Sequence, residues 1–149
     1  MSKREAHPSH QVDPEVLQDN WLKEVLSFKP ADLQRARLRS GLAEPQFSFL
    51  AQVEARTKYA KKFAPLITEP WIFPAGLALE QSSSCTAAEF KSSLISTNAT
   101  ADLCAGMGID SWALASRSST HLAFEKNEPL AQLLRFNLPN ADVVGDEFN

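Results

Sequence analysis

One short run organises the whole sequence: Asp102-Leu103-Cys104-Ala105-Gly106-Met107-Gly108. The residues from 99 to 104 are typical of a strand, and residues 110–116 are typical of a helix. Glycines between a strand and a helix allow a tight turn and leave room for a ligand beside the backbone. The run therefore predicts a strand–turn–helix unit with a binding site at the turn.

The same alternation of elements continues downstream. We expect a strand over residues 121–125, a helix over 128–137 and a third strand over 141–145. Strands that alternate with helices of about ten residues favour a parallel sheet with right-handed crossovers. The sequence thus predicts an α/β fold whose three strands are ordered 3-2-1, and an antiparallel meander after residue 99 would contradict it.

The sequence upstream is typical of helices. Asp13-Pro14 has the form of an N-cap followed by proline at the first helical position, and further helices are expected over residues 31–39 and 45–63. Prolines 65, 70 and 74 predict an extended connection, and residues 86–95 a helix capped by Ser84 or Thr86. We therefore predict a helical N-terminal region (1–64), a proline-rich connection (65–79) and a partial Rossmann-like domain (80–149).

Composition narrows the class of protein. The chain has 149 residues, of which 44% are apolar and 22% charged, as in ordinary soluble globular domains. The first ten residues are polar, and there is no run of eighteen apolar residues, so we expect a cytoplasmic protein without membrane association. The two cysteines lie in unlike contexts, so neither a disulfide framework nor a metal site is expected.

An acidic residue stands at or near the end of each predicted strand. A dinucleotide site gains nothing from a carboxylate such as Asp102 beside its phosphates, whereas S-adenosylmethionine has no phosphate and carries an ammonium and a sulfonium. Glu125 ends the second strand, 23 residues after Asp102, where a carboxylate can accept hydrogen bonds from two ribose hydroxyls. Asp146 follows the third strand, where it could accept a hydrogen bond from an adenine amino group.

These residues resemble the class I S-adenosylmethionine-dependent methyltransferases over about residues 80–149. More narrowly, Glu80-Gln81-Ser82-Ser83, Thr86-Ala87, Lys91 and the run from Asp102 to Asp110 resemble a bacterial methyltransferase family with a THUMP-like C-terminal domain. The turn is also similar to that of a ribosomal small-subunit RNA guanine methyltransferase family. The resemblance implies S-adenosylmethionine as cofactor and RNA as substrate. We expect ten residues to contact the cofactor: Gln81, Ser82, Asp102, Cys104, Ala105, Gly106, Gly108, Glu125, Lys126 and Asp146.

The sequence departs from the family pattern in two respects. Cys104 stands where the general pattern has its first glycine, and the Asp/Asn-Pro motif expected after a fourth strand does not occur downstream of Gly108. We therefore assign no catalytic residue, and we expect this chain to carry only the N-terminal part of such an enzyme. Alone, it should bind the cofactor weakly and show no turnover.

Two other functions stay open at this point. The run Gly106-Met107-Gly108-Ile109-Asp110-Ser111 resembles the G-x-G-x-x-G motif of nicotinamide-dependent oxidoreductases, with serine in place of the last glycine. Three strands are also fewer than a whole sheet of this type needs, which is compatible with a non-catalytic fragment or an interaction module.

Charge is unevenly distributed along the chain. Residues 31–62 contain seven Lys/Arg and three Asp/Glu, whereas residues 99–149 contain three and seven. Solvated helix faces account for such a pattern, but it also fits an RNA backbone as partner. The residues that would contact RNA are Arg35, Arg37, Arg39, Arg56, Lys58, Lys61 and Lys62.

Four further side chains have predicted or open roles. We expect Trp112 to be a core residue, His121 to be structural and Cys104 to be a small packing residue. Trp71, in the proline-rich connection, is compatible with either a lid or a surface anchor.

Overall fold

The computed structural model describes Ser27, residues 52–74 and residues 76–145. Eight elements follow in order: a helix over residues 52–58 (α1), α2 (Leu77–Gln81), α3 (Cys85–Ser93), β1 (Ala99–Asp102), α4 (Ile109–Ala115), β2 (Thr120–Phe124), α5 (Glu128–Asn137) and β3 (Asp142–Val144). Of the helix predicted to begin at Asp13, only Ser27 is described, and it is helical. The helix predicted to begin at Ala31 lies outside the described residues, as do Arg35, Arg37, Arg39 and Asp146.

The three strands form one parallel sheet in the order β1-β2-β3. Asp102 at the end of β1 is paired with Ala123 of β2, and Phe124 at the end of β2 is paired with Val144 of β3. The carboxyl ends of all three strands therefore meet at one edge of the sheet. This arrangement confirms the predicted α/β fold and the 3-2-1 strand order.

Helices connect and cover the strands. α4 contacts β1, β2 and α3, and α5 contacts β3. The side chain of Asn127 accepts a hydrogen bond from the N–H of Leu130 and so caps α5. Ala131 and Leu134, three residues apart and both fully buried, give α5 its inner face. At α3, Ser84 is the N-cap and accepts from Ala87 N, which confirms one of the two predicted caps.

The connection before the sheet is more structured than its prolines predict. Residues 59–70 form successive turns, residues 71–74 are extended, and α2 occupies the end of the predicted connection. Trp71 is buried in the core, so neither a lid nor a surface anchor describes it. Trp112 packs against the same core, as expected.

Two side-chain amides hold the extended segment in place. Gln52 donates to Phe73 O (2.8 Å) and accepts from Phe73 N (2.9 Å). Asn137 likewise accepts from Ile72 N (2.8 Å) and donates to Ile72 O (2.9 Å). Each amide thus satisfies both backbone polar groups of one residue, as a neighbouring strand would. The segment is thereby fixed between α1 and α5.

Arg56 corrects one prediction about the basic surface. It is 6% exposed, and its guanidinium donates to the carbonyl oxygens of Ile67 (3.1 Å), Glu69 (3.2 Å) and Trp71 (2.7 Å). Burial lowers its pKa to about 10. Arg56 therefore lies inside the protein, where an RNA phosphate cannot reach it. Its guanidinium supplies hydrogen-bond donors to the backbone carbonyls of the turns over residues 66–71.

Within residues 52–74 and 76–145, no helix is long and apolar enough to cross a membrane.

Candidate functional site

The carboxylate of Asp102 shapes the turn that follows β1. One oxygen accepts from Cys104 N (3.2 Å), and the other accepts from the hydroxyl of Ser111 (2.8 Å). Ser111 is fully buried on α4, so this bond ties the end of β1 to the helix beyond the turn. The predicted strand ends at Asp102 rather than at Cys104 because the Cys104 N–H bonds to this side chain.

Glu125 supports the same turn from the end of β2. Its Oε2 accepts from Gly106 N (2.8 Å), and its Oε1 accepts from Asn127 N (2.8 Å). A carboxylate offers about four lone-pair positions, so each oxygen can accept one more hydrogen bond. Glu125 thus joins the glycine turn to the start of α5, and its carboxylate can still accept hydrogen bonds from a ligand.

The two glycines of the turn differ in how much space a side chain would have at each position. Both have positive φ, +57° at Gly106 and +88° at Gly108. A Cβ at Gly106 would meet nothing within 4 Å, whereas one at Gly108 would lie 2.4 Å from Leu134 Cδ2 and 3.3 Å from Leu138 Cδ1. Gly106 therefore faces open space, and Gly108 allows the turn to pack against α5.

An open cleft of about 410 Å³ lies over this turn. Five of the predicted cofactor contacts line it: Gln81, Ser82, Cys104, Ala105 and Gly106. Seven residues that were not predicted line it as well: Leu77, Ala78, Ser83, Met107, Ile109, Asp110 and Leu130. The cleft is thus bounded by α2, the segment that follows it, the glycine turn and α5.

The remaining predicted contacts stand elsewhere. Asp102, Gly108 and Glu125 lie around the turn and are absent from the cleft lining, and Lys126 is exposed beside Glu125. Their contact with a cofactor stays a prediction. Cys104 is exposed at the cleft, so its interpretation as a packing residue is wrong.

Three polar side chains form a closed ring at the mouth of the cleft. Lys91 Nζ lies 2.5 Å from Asp110 Oδ1 and donates to Ser83 Oγ (2.9 Å), which in turn donates to Asp110 Oδ2 (2.8 Å). Neither Asp110 nor Ser83 was among the predicted cofactor contacts. The signal was present in the motif that contains Ser83, Lys91 and Asp110, but only the fold brings α3 against α4.

Basic residues of the helical region border α2. Lys62 donates to the carbonyls of Leu79 (3.2 Å) and Glu80 (2.8 Å), and Lys58 lies 3.6 Å from Glu80 Oε1. Lys61 is exposed. Lys62 thus stabilises the end of α2, while Lys58 and Lys61 remain accessible.

His121 is buried at the start of β2, in agreement with its expected structural role. The Ser118 hydroxyl donates to Leu114 O (2.9 Å), so it can only accept from Thr100, and the Thr100 hydroxyl must then accept from His121 Nδ1. The directions of these hydrogen bonds therefore place the proton of the neutral ring on Nδ1. Burial lowers the pKa of His121, which opposes a charged ring.

One solved structure relates this geometry to a known protein. The chain is similar to a presumed methyltransferase from Porphyromonas gingivalis W83, with a TM-score of 0.67 and 27% identity over 90% of this chain. The match spans 36% of the length of that protein. No protein-family model matches the chain, and no curated protein matches it. The chain thus has the fold of part of a methyltransferase.

Proposed function

We propose that the chain forms the S-adenosylmethionine-binding part of a methyltransferase. The observation that carries this proposal is the hydrogen bonding of the glycine turn. The N–H groups of Cys104, Ala105, Gly106 and Gly108 are all used within the protein, two of them by the carboxylates of Asp102 and Glu125. A phosphate needs such N–H groups free, whereas S-adenosylmethionine has no phosphate.

The residues present fit this cofactor. Gly106 leaves open space at the floor of the cleft, and Glu125 keeps lone pairs for the two ribose hydroxyls. Gln81 and Ser82 border the cleft from the other side, where the family resemblance places the methionine end. The cofactor would supply an activated methyl group on its sulfonium, and the protein would bind and orient it.

A nicotinamide-dependent oxidoreductase is the poorer candidate. Ser111, which replaces the third glycine of that motif, donates to Asp102 and fixes a negative charge behind the turn. Gly108 N donates to Ala105 O (2.8 Å). A pyrophosphate would therefore find the N–H groups of Cys104, Ala105, Gly106 and Gly108 already used, and it would lie near the carboxylates of Asp102 and Glu125.

The finer proposal is that RNA is the substrate. It rests on the family resemblance and on two exposed lysines, Lys58, which pairs with Glu80 of α2, and Lys61. Arg56 is excluded from this surface by its burial. If RNA binds there, affinity should fall steeply with added salt because phosphate contacts release counterions.

Calorimetric titration of the chain with S-adenosylhomocysteine and with NAD tests the main proposal. We expect binding of the first and not of the second. Gly106→Ala places a methyl group in the cleft and should weaken binding, whereas Gly76→Ala, at another positive-φ glycine that faces open space, should not. Binding of NAD alone, or equal binding by both variants, would contradict the proposal.

A further inference from the structure

One wall of the cleft is a short segment that Lys62 holds at two points. This wall consists of α2 and the serines that follow it, and five of its residues line the cleft: Leu77, Ala78, Gln81, Ser82 and Ser83. Lys62 Nζ donates to the carbonyl oxygens of Leu79 (3.2 Å) and Glu80 (2.8 Å), and Lys62 O accepts from Cys85 N (2.9 Å). Residues 81–84 lie between these contacts, so a single residue fixes both ends of the segment that borders the ligand space.

The helix α2 depends on contacts from outside itself. It has only five residues, and Gly76 at its N-terminus supplies no side-chain cap. The last carbonyls of a helix have no partner within it, and a helix this short is not stable alone in water. Leu79 attaches α2 to the core, and the exposed pair of Lys58 and Glu80 adds little. Lys62 therefore supplies a charged contact at the end of α2 where the helix dipole favours a cation.

The position of the Lys62 ammonium is itself fixed. Nζ lies 5.2 Å from the centroid of the Phe63 ring and 5.7 Å from that of the Tyr59 ring, within the range of cation–π contact. Phe63 is fully buried in the core. The wall is thus attached to the core through the side chain of Lys62.

We infer that Lys62 is a positioning residue for the cofactor cleft, an inference that rests on the proposed function. Lys62 does not line the cleft, so its side chain acts on a ligand through the wall. Without the ammonium, the wall would occupy positions in which Gln81 and Ser82 no longer border the ligand. Part of the binding free energy would then be used to order the wall, and the apparent affinity would fall in proportion to the fraction of molecules with the wall in place.

Calorimetric titration of the whole chain with S-adenosylhomocysteine measures this effect. Lys62→Met keeps most of the side-chain volume and removes the donor, so affinity should fall about tenfold, the effect of losing one hydrogen bond to a charged group. Lys62→Arg can donate to both carbonyls and should restore most of the affinity. Arg117→Met removes an exposed positive charge just beyond α4 and should leave the affinity unchanged, as the matched control.

The two cysteines provide a second measurement that does not depend on affinity. Cys104 is exposed at the cleft, whereas Cys85 is fully buried, and burial raises its pKa to about 11. Saturating S-adenosylhomocysteine should slow the reaction of Cys104 with a maleimide in the parent chain. The protection should be weaker in Lys62→Met, because its wall is no longer held against the ligand, and an unreactive Cys85 shows that the variant is folded.

The outcomes separate this inference from the proposed function. If the parent chain does not bind S-adenosylhomocysteine, the proposed function fails and the role of Lys62 fails with it. If the parent binds it and Lys62→Met binds it equally well, only the positioning role is wrong. Weaker binding with unchanged protection of Cys104 would also overturn that role alone, because the wall would then be in place whenever the ligand is bound.

Discussion

Replacement of Gly108 by alanine should destabilise the protein more than any other single methyl group added to the glycine turn. The new Cβ would lie 2.4 Å from Leu134 Cδ2, well inside contact distance. Leu134 is fully buried and Leu138 is 7% exposed, so neither side chain can turn toward solvent to make room. The backbone must also hold a φ of +88°, which alanine rarely adopts.

The expected size follows from these two terms. A left-handed conformation costs a residue with Cβ roughly 1–2 kcal/mol. Forcing one extra methyl group into a packed core costs typically about 1–3 kcal/mol. Gly108→Ala should therefore lower the free energy of unfolding by about 2–5 kcal/mol. Gly106→Ala carries only the first term, because its Cβ faces open space.

Urea unfolding monitored by circular dichroism measures both variants. Because a residue at 134 smaller than leucine relieves the clash, Gly108→Ala combined with Leu134→Ala should cost less than the sum of the two single substitutions. Equal stability of Gly108→Ala and Gly106→Ala, or full additivity in the double variant, would refute the close packing of the turn against α5.

Three further predictions concern single side chains. His121 has a lowered pKa when folded, so the unfolded chain binds a proton first as the pH falls below about 6.5, and stability should decline there. Urea midpoints at neutral and acidic pH should show a smaller decline for His121→Phe. Arg56→Met leaves the buried carbonyl of Trp71 and the partly buried carbonyls of Ile67 and Glu69 without their donor and should cost about 3 kcal/mol or more, whereas Lys61→Met should change stability by less than about 0.5 kcal/mol in the same assay. Glu125→Ala should weaken S-adenosylhomocysteine at least about tenfold by calorimetry, and unchanged affinity would contradict the ribose contact.

The fold was predictable where local patterns and topology agree. Strand–turn–helix alternation after residue 99 was sufficient to give a parallel sheet and its order, because crossover connections leave few alternatives. The segment of residues 59–74 was not predictable from its prolines. Its course depends on side-chain amides from Gln52 and Asn137, which are distant in sequence from the backbone groups that they satisfy.

The candidate site was predictable in its position but not in how its charges are used. Sequence reasoning placed Asp102 and Glu125 at the carboxyl ends of β1 and β2, where the structure also has them. Their carboxylates were expected to be free for a ligand. The hydrogen bonds that they accept from Cys104 N and Gly106 N could not be predicted, because these bonds depend on the detailed course of the turn. The ring at Asp110 depends on the packing of α3 against α4, which no local pattern reports.

The engagement of Asp102 and Glu125 within the turn bears directly on which ligand the cleft accepts. By accepting from the N–H groups of Cys104 and Gly106, they occupy two donors that a phosphate could otherwise use and leave negative charge behind the turn. An anionic group placed at the turn would then be repelled, and a cationic group would be attracted, with little screening by water on the protein side. A sulfonium is cationic and needs no donor. The same two carboxylates can therefore hold the turn in its conformation and set its preference for a positively charged ligand, without either contacting the sulfur.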